Sequence, residues 1–110
     1  MIQITIYQDS QSRFCGFDCL GHAEYADPGQ DIVCAAVSVL TITAMNAIEE
    51  LTDASFTQES DEEAGSMTYR LKTFEHDSQL LFRSMVLGLE EMESNYSEYI
   101  DLIFREVQET

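Results

Sequence analysis

Ile2, Ile4 and Ile6 alternate with Gln3, Thr5 and Tyr7, and a period of two in a β-branched run predicts a half-buried strand from Ile2 to Gln8. The polar cluster Asp9-Ser10-Gln11-Ser12 predicts a turn, after which Phe14, Gly16 and Asp18 alternate less cleanly with Cys15, Phe17 and Cys19 in a second strand of the same hairpin. A long glycine-bounded loop, Gly21 to Gln30, follows and contains the proline of the chain. From Asp31, a suitable N-cap, Val33, Val37, Leu40, Ala44, Ile48 and Leu51 recur every three or four residues, which predicts a helix over 31–51. Ser55 to Glu59 and Met67 to Phe74 read as a second hairpin around Ser60–Gly65, where Gly65 can supply a positive φ. Leu80, Leu81, Met85, Leu87, Leu89 and Met92 mark a second amphipathic helix over about 77–94, weakened slightly by Gly88. Alternation of Ile100, Leu102 and Phe104 in the tail from Tyr99 to Val107 favours a final edge strand. The expected fold is therefore α+β, an antiparallel sheet of four to five strands with two helices packed on it.

The chain has 110 residues, 45% of them hydrophobic, including 6 Phe and 5 Tyr, enough for the core of a single domain over 1–110. Its 21 Asp and Glu against 5 Lys and Arg give a formal charge of −16, which argues against direct binding to nucleic acid and favours a basic partner. The longest unbroken apolar stretch, Ile32 to Val37, is shorter than the roughly 20 residues of a bilayer span. The N-terminus carries no basic region followed by a long apolar core, so neither a membrane segment nor a secretory signal is expected, and the cytoplasm is the expected compartment. Three cysteines, Cys15, Cys19 and Cys34, are too few for a disulfide framework and agree with a reducing environment.

Cys34 follows the expected cap by three positions, so it would stand in the first helical turn, where free N–H groups and the macrodipole favour a thiolate. Those amides could also form an oxyanion hole. His22, twelve residues upstream at the mouth of the loop, could fold back as its base. The residues alone leave another reading open, in which Cys34 is a buried core thiol and His22 an ordinary loop residue. Asp31 reads first as a helix cap, and Ser38, one turn beyond Cys34, could line a site or bond back to a helical carbonyl. His76, between Glu75 and Asp77, reads as a surface residue. A zinc site from Cys15, Cys19, His22 and Cys34 is disfavoured, because two cysteines four residues apart on a strand lie roughly 13 Å from each other. No metal ligands are therefore assigned, and Cys15 and Cys19 read as small apolar fillers. Glu49 to Glu63 contains seven carboxylates and no basic residue. Such a run is usually a solvated face, and it can also steer a basic protein toward the surface.

The block Gly21-His22-Ala23-Glu24-Tyr25-Ala26, Gly29 and Asp31-Ile-Val-Cys34-Ala-Ala-Val-Ser38 closely resembles the ribosomal-processing cysteine protease family of bacteria. Phe17, Asn46, Gly88-Leu89-Glu90 and Tyr96 to Ile100 extend the similarity over most of the chain. The resemblance implies a homodimeric cytoplasmic endopeptidase, without cofactor, that removes a short N-terminal extension from the large-subunit ribosomal protein L twenty-seven. It implies Cys34 as nucleophile, His22 as base, Asp31 and Ser38 as supporting residues, and a mobile substrate loop bounded by Gly21 and Gly29. The alternatives are a noncatalytic acidic module that binds a basic ribosomal protein, and a zinc-stabilised interaction domain.

Overall fold

The computed structural model describes residues 1–21, 28–61 and 63–108, the side chains of 28–31 excepted. Its elements run β1 (Ile2–Gln8), β2 (Phe14–Leu20), α1 (Pro28–Leu51), β3 (Phe56–Asp61), β4 (Ser66–Leu71), α2 (His76–Asn95) and β5 (Ile100–Glu106). One sheet holds all five strands in the order β3-β4-β2-β1-β5. Three of its neighbouring pairs are antiparallel, and β5 runs parallel to β1. The sheet is thus mixed at one edge, where the sequence suggested antiparallel pairing throughout. The cause lies in the connections, because α2 returns the chain from the end of β4 to start β5 in the same sense, as a parallel crossover requires.

Both hairpins and both helices lie where the hydrophobic pattern put them, with shifted ends. Strand β4 stops at Leu71 rather than Phe74, and the Phe74 ring instead takes the Arg13 guanidinium at 4.7 Å. Helix α1 begins at Pro28, three residues before the expected cap. Proline suits the first helical position, where its fixed φ matches the helix and its missing N–H removes a donor that has no intrahelical partner. Asp31 is therefore a first-turn residue and not an N-cap, and Gly29 belongs to the helix instead of closing a substrate loop. The remaining loop residues 22–27, with His22 and the expected mobility of that segment, lie outside the described residues.

Alternation decides which side chains fill the core. Ile2, Ile4 and Ile6 of β1, Ile100 and Leu102 of β5, and Tyr69 and Leu71 of β4 are buried beneath the helices. They meet Val33, Val37, Ala44 and Ile48 of α1 and Phe82, Met85, Val86 and Leu89 of α2. An aromatic row crosses the sheet: Phe14 stacks on Phe82 at 5.0 Å, Phe17 on Tyr69 at 5.6 Å and Tyr69 on Phe56 at 5.1 Å. Gly88 lets the helices approach, since a Cβ there would lie 2.5 Å from Leu40 Cδ2. Its poor helix propensity is offset by that contact. On the opposite face of the sheet, the Tyr7 hydroxyl donates to Asp18 Oδ2 at 2.7 Å, and Arg70 pairs with Asp18 Oδ1 at 2.9 Å while lying 4.5 Å over the Tyr7 ring. That hydrogen bond to Asp18 is the first cause holding the Tyr7 pKa above its ordinary value.

Tyr69 is fully buried, and its hydroxyl has no hydrogen-bond partner among the described residues. Burial, followed by the charge of Glu49, pushes its pKa up to about 12. The ring stabilises the fold while the hydroxyl does not. Tyr69→Phe is expected to leave thermal stability unchanged or raise it by about 1 kcal/mol. Tyr69→Ala is expected to lower it by about 3–5 kcal/mol. Thermal melts of the two variants check this, and a Tyr69→Phe loss as large as that of Tyr69→Ala would contradict it.

Candidate active site

The sheet-facing stripe of α1 orients its remaining side chains. With Val33 and Val37 at 0% and 3% exposure, Cys34 falls on the flank of the buried stripe, half-buried against the core. Ser38, one turn further, is exposed. Thr41 completes the turn, buried, with its hydroxyl donating to the Val37 carbonyl at 2.9 Å.

Opposite this flank stands β2. Cys19 pairs in register with Ile4 and Met67, so it shares their helix-facing side of the sheet. A groove of about 450 Å³ opens between the strands and the helix, lined by Cys19, Gly21, Ser38, Asp61 and Met67. Cys19 and Cys34 interact electrostatically across this region. Burial, and then the charge of Cys34, pushes the Cys19 thiol up to about 11.

Gly21 ends the described part of β2's exit. Its φ is +101°, its N–H donates to the Gly65 carbonyl at 3.0 Å, and a Cβ would lie 2.6 Å from the Met1 carbonyl oxygen. Only glycine fits both the left-handed backbone and the close approach.

Of the expected site residues, the structure brings Ser38 and Gly21 to one groove and sets Cys34 one helical turn from Ser38. His22 and the Asp31 side chain lie outside what is described. Cys34 is not in the first turn as the sequence suggested. With α1 starting at Pro28 it is the seventh helical residue, and its N–H falls beyond the first four, which lack intrahelical acceptors. The first-turn amides without an intrahelical acceptor belong to Gly29 and Gln30, a turn away. Cys15 stands on a bulge, with its thiol 3.6 Å from the Arg13 carbonyl. Among the described residues no three His, Cys, Asp or Glu side chains gather as a metal would require. His76 is a surface residue 3.1 Å from Asp77. Cys19 and Met67 escaped the sequence reading as groove residues, although their shared parity with Ile4 in the strands carried that information.

A family model described as cysteine protease Prp matches residues 1–101. The chain belongs to the Prp cysteine protease family. It is 30% identical over 103 residues to the ribosomal processing cysteine protease Prp of Bacillus subtilis, covering 89% of this chain and 92% of that one. The fold is that of an essential ribosomal processing protease Prp from S. aureus in complex with a substrate peptide, with a TM-score of 0.89, 28% identity and coverage of 96% of this chain and 100% of the other. A second S. aureus Prp structure, which holds a covalently linked product peptide, matches with a TM-score of 0.86 and 29% identity over 96% and 100% of the two chains. The protein is thus a cysteine protease of the Prp family.

The raised Cys19 pKa has a direct chemical consequence. Alkylation requires the thiolate, and burial disfavours that form, so Cys19 reactivity rises about tenfold per pH unit from neutral pH and levels off only at about 11. Near neutral pH, iodoacetamide is expected to modify Cys19 about 100-fold more slowly than an unperturbed cysteine. Peptide mapping after timed labelling between pH 7 and 11 checks this. Rapid labelling of Cys19 at pH 7 in the folded protein would contradict it.

Proposed function

We propose that the protein is an endopeptidase of ribosome assembly that removes the short N-terminal extension of the large-subunit ribosomal protein L twenty-seven, with Cys34 as nucleophile and His22 as base. The supporting observation is the half-buried Cys34 on α1, one turn from a groove wall, in a chain whose S. aureus relative holds a covalently linked product peptide. His22 accepts the thiol proton and Cys34 Sγ attacks the scissile carbonyl, giving a tetrahedral oxyanion. Collapse forms a thioester as protonated His22 gives its proton to the departing amine, and water then hydrolyses the thioester to regenerate the thiol. Asp31 and Ser38 support this machinery, one from the first turn of α1 and the other from the groove wall. The net charge of −16 suits a basic ribosomal protein as substrate and the cytoplasm, where ribosomes assemble, as the site of action.

The N-terminally extended precursor incubated with the protein should lose its extension, read by intact mass. Cys34→Ala should lower the rate by at least about 10⁴-fold and His22→Ala by about 10²–10⁴-fold, with circular dichroism confirming that each variant is folded. A folded wild type that leaves the precursor intact overturns the substrate, and a Cys34→Ala variant that cleaves at the wild-type rate overturns the nucleophile. Retained function in a noncleaving Cys34→Ala variant would instead favour the acidic binding module.

The homodimer belongs to the same reading, and we place its interface on the outer face of the helices. Residues 32–48 carry no charge in a chain of −16, and Ile32, Val39 and Ile42 are 57%, 65% and 46% exposed there, beside Leu80 and Leu87 of α2. Val39 also lines an apolar groove of about 190 Å³ between the two helices. Two such acidic chains meet with the least repulsion across this patch. Sedimentation equilibrium should show a wild-type dimer and a monomeric Val39→Asp variant. A wild-type monomer at tens of micromolar, or a dimeric Val39→Asp, would overturn the placement.

A further inference from the structure

A second groove, of about 710 Å³, lies between the C-terminal turns of α2 and strand β5, away from Cys34. Its lining mixes apolar Met1, Ile100, Leu102 and Phe104 with polar Glu90, Glu93, Ser94 and Asp101, and Glu90 is paired with Arg83 Nη1 at 3.0 Å. Phe104 and Met1 remain 46% and 65% exposed, an unusual state for large apolar side chains lining one depression. Strand β5 is also an edge of the sheet. The bonds from Ile2 N–H to the Tyr99 carbonyl and from Val107 N–H to the Gln8 carbonyl, both 2.8 Å, turn its odd-numbered amides toward β1. The even-numbered amides therefore point outward along the groove. The Leu102 N–H is taken by Glu93 Oε2 at 2.6 Å, and those of Phe104 and Glu106 follow it along the open edge.

An edge strand beside a lining of apolar and acidic side chains fits an extended strand with basic side chains: the backbone pairs with the edge, and Lys or Arg reaches Glu93 and replaces Arg83 at Glu90. The same charges oppose a second copy of this chain, which would bring Glu90, Glu93 and Glu106 against their equivalents. One wall residue of each groove lies beside the other. Gly21, a wall of the Cys34-side groove, packs directly on the Met1 carbonyl, and Met1 is a wall of this one.

We propose that the groove along β5 is an exosite that binds an extended, basic segment of the substrate protein outside the scissile region by adding it as a strand to the sheet edge. The choice of a basic ribosomal protein as substrate rests on the proposed function, so the test uses binding without cleavage. The probe is the mature ribosomal protein L twenty-seven, which lacks the extension and offers nothing to cut. The folded full-length protein should bind it with an affinity that falls steeply as salt is raised. Phe104→Ala and the double variant Glu90→Gln/Glu93→Gln, whose new amide oxygen at the second position can still accept from the Leu102 N–H, should each weaken binding at least about tenfold. Hydrogen exchange at the Phe104 and Glu106 amides should slow on binding. Absence of binding, binding that both variants retain, or protection of those amides that depends on the protein's own concentration without the probe would each overturn the exosite. Intact binding with an uncleaved precursor would overturn the proposed function and leave the exosite standing.

Discussion

The buried carboxylate of Asp9 is the contact on which the rest of the molecule depends. Only 2% exposed, it accepts from the Gln11 and Arg13 backbone N–H groups at 2.9 Å each and pairs with Arg13 Nε at 2.6 Å. Ser12 between them holds a φ of +63°. These bonds compensate both the strained turn and the burial of the charge. They also set where β2 begins against β1. A slip of one residue would send Phe17 and Cys19 to the opposite face, dissolve the aromatic row and remove one wall of the candidate active site. A bulge at Cys15 completes the adjustment, and the Gln79 side chain from α2 spans Phe14 there, accepting from its N–H at 2.7 Å and donating to its carbonyl at 2.8 Å. The turn, the bulge and the second helix thus act together to hold Ile4 opposite Cys19.

This also explains which parts of the fold were legible in the sequence. Alternation in Ile2–Ile6 and the helical spacing of Val33 to Ile48 are local patterns, and the observed elements follow them. The second strand looked irregular because the bulge shifts parity inside it: Phe14 and Phe17, three residues apart, both reach Phe82. Pro28 marks a loop or a first helical turn equally well by type, and only the packing of α1 decides between them. The partner of β5 depends on the path of α2, a property of the whole chain that no short window contains. Of the candidate site, Cys34, Gly21 and Ser38 were visible as a block, whereas Cys19 and Met67 needed the strand register.

The charge distribution follows from the same architecture. Helix α1 is apolar on its sheet-facing stripe and again on its outer face, and residues 32–51 are long and apolar enough to satisfy a length test for a membrane span, with 33% of that window buried. The buried stripe of Val33, Val37, Ala44 and Ile48 identifies a core helix. Its outer stripe is a separate feature, bounded by acidic surface on β3, α2 and the 49–63 segment. Residues 32–48 of α1 thus carry no carboxylate on any face, while carboxylates crowd the elements around it. A uniform distribution would have made every approach of a like molecule unfavourable, whereas this one leaves a neutral face on α1 and concentrates the field elsewhere.

The start of α1 at Pro28 constrains how the proposed nucleophile can work. A macrodipole acts within the first helical turn, and Cys34 lies beyond it, beside the thiol of Cys19. Cys19 stays neutral at physiological pH because burial opposes its ionisation, so it adds no negative charge against a thiolate at Cys34. The free helical amides at Gly29 and Gln30 stand one turn nearer the start of α1 than Cys34 does. On the proposed mechanism, deprotonation therefore falls to His22, and an oxyanion reaches those amides only if the substrate carbonyl lies toward the N-terminal end of α1. That requirement orients the peptide.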